Sequence, residues 1–157
     1  MDDLTWARAL HVLAVVHWIG GVAMVTAVIL PAVRRLGAPG DRLALFEAVE
    51  GRFSRHAKIS VTLAGLSGFY MTERLDAWDR FADPGFWWMH AMVLVWTLFA
   101  VVLFIAEPLV LHRWIHRRAQ ERPEATFTLV QRAHWVLLIL SAVTVGASVL
   151  GAHGVLF

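Results

Sequence analysis

Apolar residues in this chain come in long runs rather than in alternation, and charged clusters separate the runs. A hydrocarbon core of about 30 Å is crossed by roughly 20 mostly apolar residues in helix. By that measure the pattern predicts four spans, at 6–33, 57–71, 86–111 and 135–157. The second is the shortest and has to accommodate Lys58, whose long side chain snorkels toward the interface. The stretch from Asp41 to Arg55 sets Leu43, Leu45, Phe46, Val49 and Phe53 among charges. That is the pattern of an amphipathic helix at the membrane surface, or of an extension of the second span. Between the second and third spans, Pro84 and Gly85 mark a turn, and Trp78, Trp87 and Trp88 fit an aromatic belt. No soluble domain, repeat or low-complexity tract interrupts the pattern. The fold class expected is all-α, an integral membrane four-transmembrane-helix bundle forming one domain over 1–157, with Gly20, Gly21, Gly65, Gly68, Ala147 and Gly151 allowing close helix approach.

Composition agrees, with 59% hydrophobic and 17% charged residues, against roughly 45–50% and about 25% in soluble domains. No apolar stretch is followed by a small-residue cleavage site, so the first span is expected to stay in the mature protein. Charge sets the expected orientation. Arg34, Arg35, Arg42, Arg52 and Arg55 lie between the first two spans, and Arg113, Arg117, Arg118, Arg122 and Arg132 between the last two. The other side has Arg8, Arg74 and Arg80 among Asp2, Asp3, Glu73, Asp76, Asp79 and Asp83. The positive-inside rule then puts the two basic connections in the cytoplasm and both termini in the periplasm of a bacterial inner membrane.

The chain has no cysteine and eight histidines, so thiolate and iron–sulfur chemistry is excluded and His, Met and carboxylates remain as metal ligands. An ionisable group inside a bilayer is a functional candidate by default. At 1.5 Å per residue, His11, His90 and His153 fall near the outer side of the hydrocarbon. His17 lies about 9 Å deeper than His11 and about 240° around the helix, which rules out a simple same-face pair. His56, His112, His116 and His134 gather at the inner ends; His112 and His116 have i, i+4 spacing, but neighbouring arginines make a cation site there unfavourable. For the outer tier the plain alternative to ligation is a helix-to-helix hydrogen bond.

Heme b suits the outer tier, because imidazoles on facing helices can take both axial positions and an apolar bundle can enclose the macrocycle. His11 and His90 are the expected iron ligands. Arg8, one turn outward from His11, and Arg74 are candidates for the propionates. Trp18 shares the His11 face, and Gly20 and Gly21 leave room for a ring or simply for helix packing. His17 and His153 tune the site or serve a second heme. The alternative cofactor is copper, held by Met89, His90 and Met92 with Met71 and His153 nearby, since thioether and imidazole suit Cu(I); the plain reading of these methionines is gap-filling in the core. Glu107, followed by Pro108, is either a proton-relay carboxylate or a partner for Arg113 or Arg34.

The stretch WARALHVLAVVHWIGGVAMVTAVILPAVRRL, carrying His11, Trp18, Gly20, Gly21 and Pro31, resembles the opening span of the HemJ and CopD-like group of small membrane proteins. EGRFSRHAKISVTLAGLSGF and WWMHAMVLV are similar to that group's second span and third-span entry, so the resemblance covers about three of four spans. It implies a four-helix heme or copper protein: HemJ-type members are heme-binding protoporphyrinogen oxidases and CopD-type members are associated with copper uptake or resistance. The HemJ pattern has His-x-Lys where this chain has His90, Ala91 and Met92. That departure counts against protoporphyrinogen oxidation and leaves heme binding standing.

Three functions are thus in competition: a cytochrome b-like redox or electron-transfer protein, which if an enzyme is an oxidoreductase with catalytic residues still open; a copper-handling protein; and an accessory structural subunit. The expected partners are the lipid bilayer, a quinone or another redox membrane protein, and further copies of the chain in a homo-oligomer. No nucleic acid is expected, and no phosphate-binding glycine loop, serine-triad motif or zinc-protease motif is present.

Overall fold

The structure, a computed structural model, describes residues 3–38 and 41–155. Asp2 and the last two residues of the fourth predicted span lie outside it, as does the side chain of His112. Among the described residues the fold is all helix. Helix α1 (Asp3–Met24) passes through a π-helical turn (Val25–Ile29) into α2 (Leu30–Leu36). Helix α3 (Arg42–Arg74) is followed by two short 3-10 turns (Asp79–Ala82 and Pro84–Phe86), and α4 (Trp87–Val101) runs through a π-helical stretch (Val102–Leu111) into α5 (His112–Glu121). Helix α6 (Pro123–Ala152) closes the chain.

The first π-helical stretch ends two residues before Pro31, and the second contains Pro108. Pro31 and Pro108 have no N–H to give to the carbonyl four residues back, and their rings crowd that carbonyl. Widening the turn lets the chain continue without a break. Pro123 instead stands in the first turn of α6, where its missing N–H has no helical partner to lose.

Three helices are long and apolar enough to cross a membrane, over Asp3–Leu36, Pro84–Leu111 and Pro123–Ala152. The expected 57–71 span is not among them. It is part of α3, a single helix of 33 residues that absorbs both the amphipathic stretch and the second apolar run. The amphipathic segment is therefore an extension of that run and not a separate surface helix. The fourth helix also starts earlier than expected, at Pro123 rather than near 135, and ends at Ala152, which leaves His153 in the turn beyond it.

The bundle is filled by three stacked clusters. At the basic end Val25, Leu30, Phe46, Phe127 and Val130 pack together; in the middle Ala14, Trp18, Val22, Val61, Ala64, Val95 and Phe99 do so. Trp88, Met89 and Ala147 close the opposite end. The glycines act here as seats for rings. A Cβ at Gly65 would lie 2.5 Å from the Trp96 ring, one at Gly151 would run into Trp88, and one at Gly21 into Phe53. Trp88 is thus a core residue, whereas Trp78 and Trp87 are exposed as a membrane-surface belt requires. Leu13, Leu66, Leu94 and Leu109 are each about two-thirds exposed (67%, 66%, 70% and 66%). So much outward apolar surface is ordinary for helices in lipid and costly for helices in water.

Candidate functional site

His11 is held across a helix interface. Its Nδ1–H donates to the Ala64 carbonyl at 2.9 Å and approaches Ser67 Oγ at 3.1 Å, both on α3. Ser67 is buried and donates its own proton to backbone carbonyls of α3, at 2.5 Å to Leu63 and 3.2 Å to Ala64. The Ala64 carbonyl can only accept, so Nδ1 carries the ring proton and Nε2 keeps the lone pair. Ligating histidines are oriented in this way, by an outer partner that fixes tautomer and ring plane. Gly68 makes the close approach feasible, since a Cβ there would sit 3.2 Å from His11 Cε1.

The α1–α3 seam continues inward as a line of polar groups. His17 Nδ1 shares a hydrogen bond of 2.8 Å with the buried Ser60, and its ring stands edge-on to His56 with centroids 6.1 Å apart. Further toward the basic end Ser54 donates to Glu107, 2.8 and 2.7 Å from its two oxygens, and Lys58 Nζ lies 3.3 Å from Glu107 Oε2. Glu107 therefore pairs with Lys58 and not with Arg34 or Arg113; Arg34 donates to Gln131 Oε1 at 3.0 Å. Lys58, expected to reach for the interface, turns to this carboxylate instead. Ser54, Ser60 and Ser67 are the site residues that sequence reasoning passed over. The signal available was the seven-residue spacing of Ser60 and Ser67, which puts two hydroxyls on one face of an apolar run.

The remaining expected ligands take other surroundings. His90 is exposed, edge-on to Phe81 at 5.3 Å. Trp96 seats against Gly65, so His90, six residues earlier, stands about 9 Å beyond Gly65, roughly one turn further along than His11 beside Gly68. His153 is exposed and donates from Nδ1 to its own helix at the Val149 carbonyl, 2.8 Å away. His134 does the same to Val130 at 2.9 Å, and His116 Nε2 lies 3.1 Å from Glu47 Oε1. Met89 is buried with Trp88 and Ala147, and Met92 packs on the same cluster. His90, one residue on from Met89, is exposed.

Of the second-rank heme residues, Trp18 is buried edge-on to Phe99 at 4.7 Å, and Arg8 is exposed. Arg74 is engaged by Asp3, at 3.0 Å. The room expected at Gly21 is taken by Phe53, while Gly20 faces open space. Trp18 Nε1 and Trp88 Nε1 are buried without a hydrogen-bond acceptor among the described residues. Two surface hollows, of about 420 and 460 Å³, both adjoin the basic end of the bundle. Among the described residues no three His, Asp or Glu side chains are gathered at metal-binding range.

His11 gives its Nδ1–H to a carbonyl of the facing helix and keeps the unprotonated Nε2 that a metal ligand needs, and the unsatisfied Trp18 indole lies seven residues further along the same face. The interior around them is filled by the chain's own side chains, among them Val61, Ala64, Val95 and Phe99. Comparison with protein-family models, with curated proteins and with solved structures finds no match to this chain in any of the three.

Proposed function

We propose that this chain is a four-crossing membrane protein that binds b-type heme through His11 and serves electron transfer. The observation that carries the reading is the interhelical bond from His11 Nδ1 to Ala64 and Ser67. It leaves one neutral imidazole nitrogen of a half-buried ring for a metal, whereas His17, though bonded across the same interface to Ser60, lies exposed, as do His90 and His153. When bound, heme supplies a one-electron couple; α3 holds the ligand and sets its basicity through Ser67 and the Ala64 carbonyl. His90, on the helix that brings Trp96 against Gly65, is the second ligand to test.

In this reading α3 supplies the second crossing, for which the outward-facing Ile59 and Leu66 give the apolar surface. The arginine-rich connections then face the cytoplasm of a bacterium and both termini the periplasm. A quinone or a membrane redox protein would exchange the electron.

The test is a reduced-minus-oxidised visible spectrum with iron and copper analysis on protein made with heme supplied and purified in mild detergent. Sharp b-type bands with near-stoichiometric iron, lost in His11→Ala, are the expected result. A colourless wild type, or His11→Ala and His90→Ala both keeping full heme content, would overturn the reading.

A second reading rests on the polar seam, in which His11, His17, His56 and Glu107 form a proton-transfer line between α1, α3 and the π-helical stretch. It expects vesicles holding the protein to acidify faster under an imposed potential than empty ones, and His17→Phe to abolish the difference.

A further inference from the structure

The hollow of about 420 Å³ at the basic end is lined by Arg34 of α2, Arg118 of α5 and Arg132 of α6. These residues lie far apart in sequence, so the tertiary fold alone gathers three guanidinium groups around one space. The single acid in the lining, Glu124, is already engaged by Arg42. Arg34 is braced by Gln131, and Arg118 lies over the Trp114 ring at 5.3 Å from its centroid. Arg132 has no acceptor among the described residues. Three like charges around one cavity repel one another unless an anion sits between them, and planar guanidinium forks match phosphate oxygens in pairs.

The rest of the lining says which anion. Thr128 spends its hydroxyl proton on the Glu124 carbonyl of its own helix, 2.9 Å away, while Ala125 and the 41%-exposed Leu129 give the hollow an apolar flank. Arg35, next to Arg34, rims the second hollow of about 460 Å³, where Val28, Pro31 and Leu36 are acyl-compatible. Both hollows lie where apolar helices end in charge, the level at which headgroups stand. We propose that Arg34, Arg118 and Arg132 form a binding site for the phosphate of an anionic phospholipid, whose acyl chains run along the apolar surface beside it. The site pins α2, α5 and α6 together at the membrane surface and is independent of heme.

The experiment uses the full chain, delipidated in detergent and titrated with dioleoylphosphatidylglycerol, with dioleoylphosphatidylcholine, and with inorganic phosphate, reading thermal midpoint and lipid adducts by native mass spectrometry. Phosphatidylglycerol is expected to form a one-to-one adduct and to raise the midpoint, and the other two to do neither. Arg34→Gln, Arg118→Gln and Arg132→Gln together are expected to weaken the effect by about tenfold or more. Arg52→Gln, Arg55→Gln and Arg113→Gln together remove equal charge from the same end and are expected to leave it. If the first triple fails to fold, Arg132→Gln alone serves, because that side chain braces nothing. Equal loss in both triples reduces the site to diffuse charge, an equal effect of inorganic phosphate makes it a soluble-anion site, and no response to phosphatidylglycerol removes it; each overturns the proposal.

Discussion

Lys58 Nζ lies 3.3 Å from Glu107 Oε2, so the one lysine of the chain meets the one carboxylate of its third apolar run. Both side chains are about one-third exposed (31% and 34%), and Ser54 adds a hydroxyl to the same carboxylate. The pair ties α3 to the π-helical stretch that Pro108 creates. Glu107→Ala leaves an ammonium and a buried hydroxyl without their acceptor, a loss of about 1–3 kcal/mol. The thermal midpoint in detergent is expected to fall, and the added substitution Lys58→Met to restore part of it. An unchanged midpoint in Glu107→Ala would show that the pair is solvated and idle.

The ring seats give a steric test. Gly65→Ala and Gly151→Ala push a methyl group into Trp96 and Trp88 and are expected to cost about 1–3 kcal/mol each through overpacking. Gly20 faces open space. Gly20→Ala should therefore be neutral or stabilise by up to about 1 kcal/mol through helix propensity. Equal melting of all three variants would contradict the packing described.

Glu50, on the polar first half of α3, has its carboxyl pushed up from the ordinary 4.5 to about 7 by burial, and then by the neighbouring carboxylates of Glu107 and Glu47. The folded chain thus holds this proton to a higher pH than the unfolded chain does. The stability it brings is complete below about pH 4.5 and is lost as pH rises toward 7. Thermal midpoints in detergent should decline across that window, and Glu50→Gln should flatten the decline. A slope unaffected by Glu50→Gln would assign the titration elsewhere.

Ser67 is the outer partner of the proposed ligand. Removing such a partner typically lowers metal affinity by 10- to 100-fold. If His11 binds heme, Ser67→Ala should reduce heme retention during purification and shift the redox midpoint, while Ser148→Ala, whose hydroxyl bonds only within α6, should do neither. Identical heme content and potential in Ser67→Ala would mean that the Ala64 carbonyl alone orients the ring.

The sequence by itself determined an all-helical chain with apolar runs of membrane length. Those follow from local rules: run length, helical rise, and the cost of charge in hydrocarbon. Three of the four expected spans rest on helices that are apolar enough to cross a membrane, and the plain reading of Met89 as a core residue fits its packing against Trp88 and Ala147. Helix limits were less legible. A polar segment such as 42–56 can continue a helix without announcing it, because helix formation tolerates charge while hydropathy does not.

Tertiary structure alone decided which side chains meet. That His11 bonds to Ala64 and Ser67, that Lys58 takes Glu107, that Phe53 fills the space at Gly21, and that three distant arginines surround one hollow all depend on rotation of one helix about its axis relative to another. That rotation is set by many small packing contacts at once, and a π-helical turn at Pro31 or Pro108 resets it partway along. Periodicity in one helix cannot reveal the phase of its neighbour.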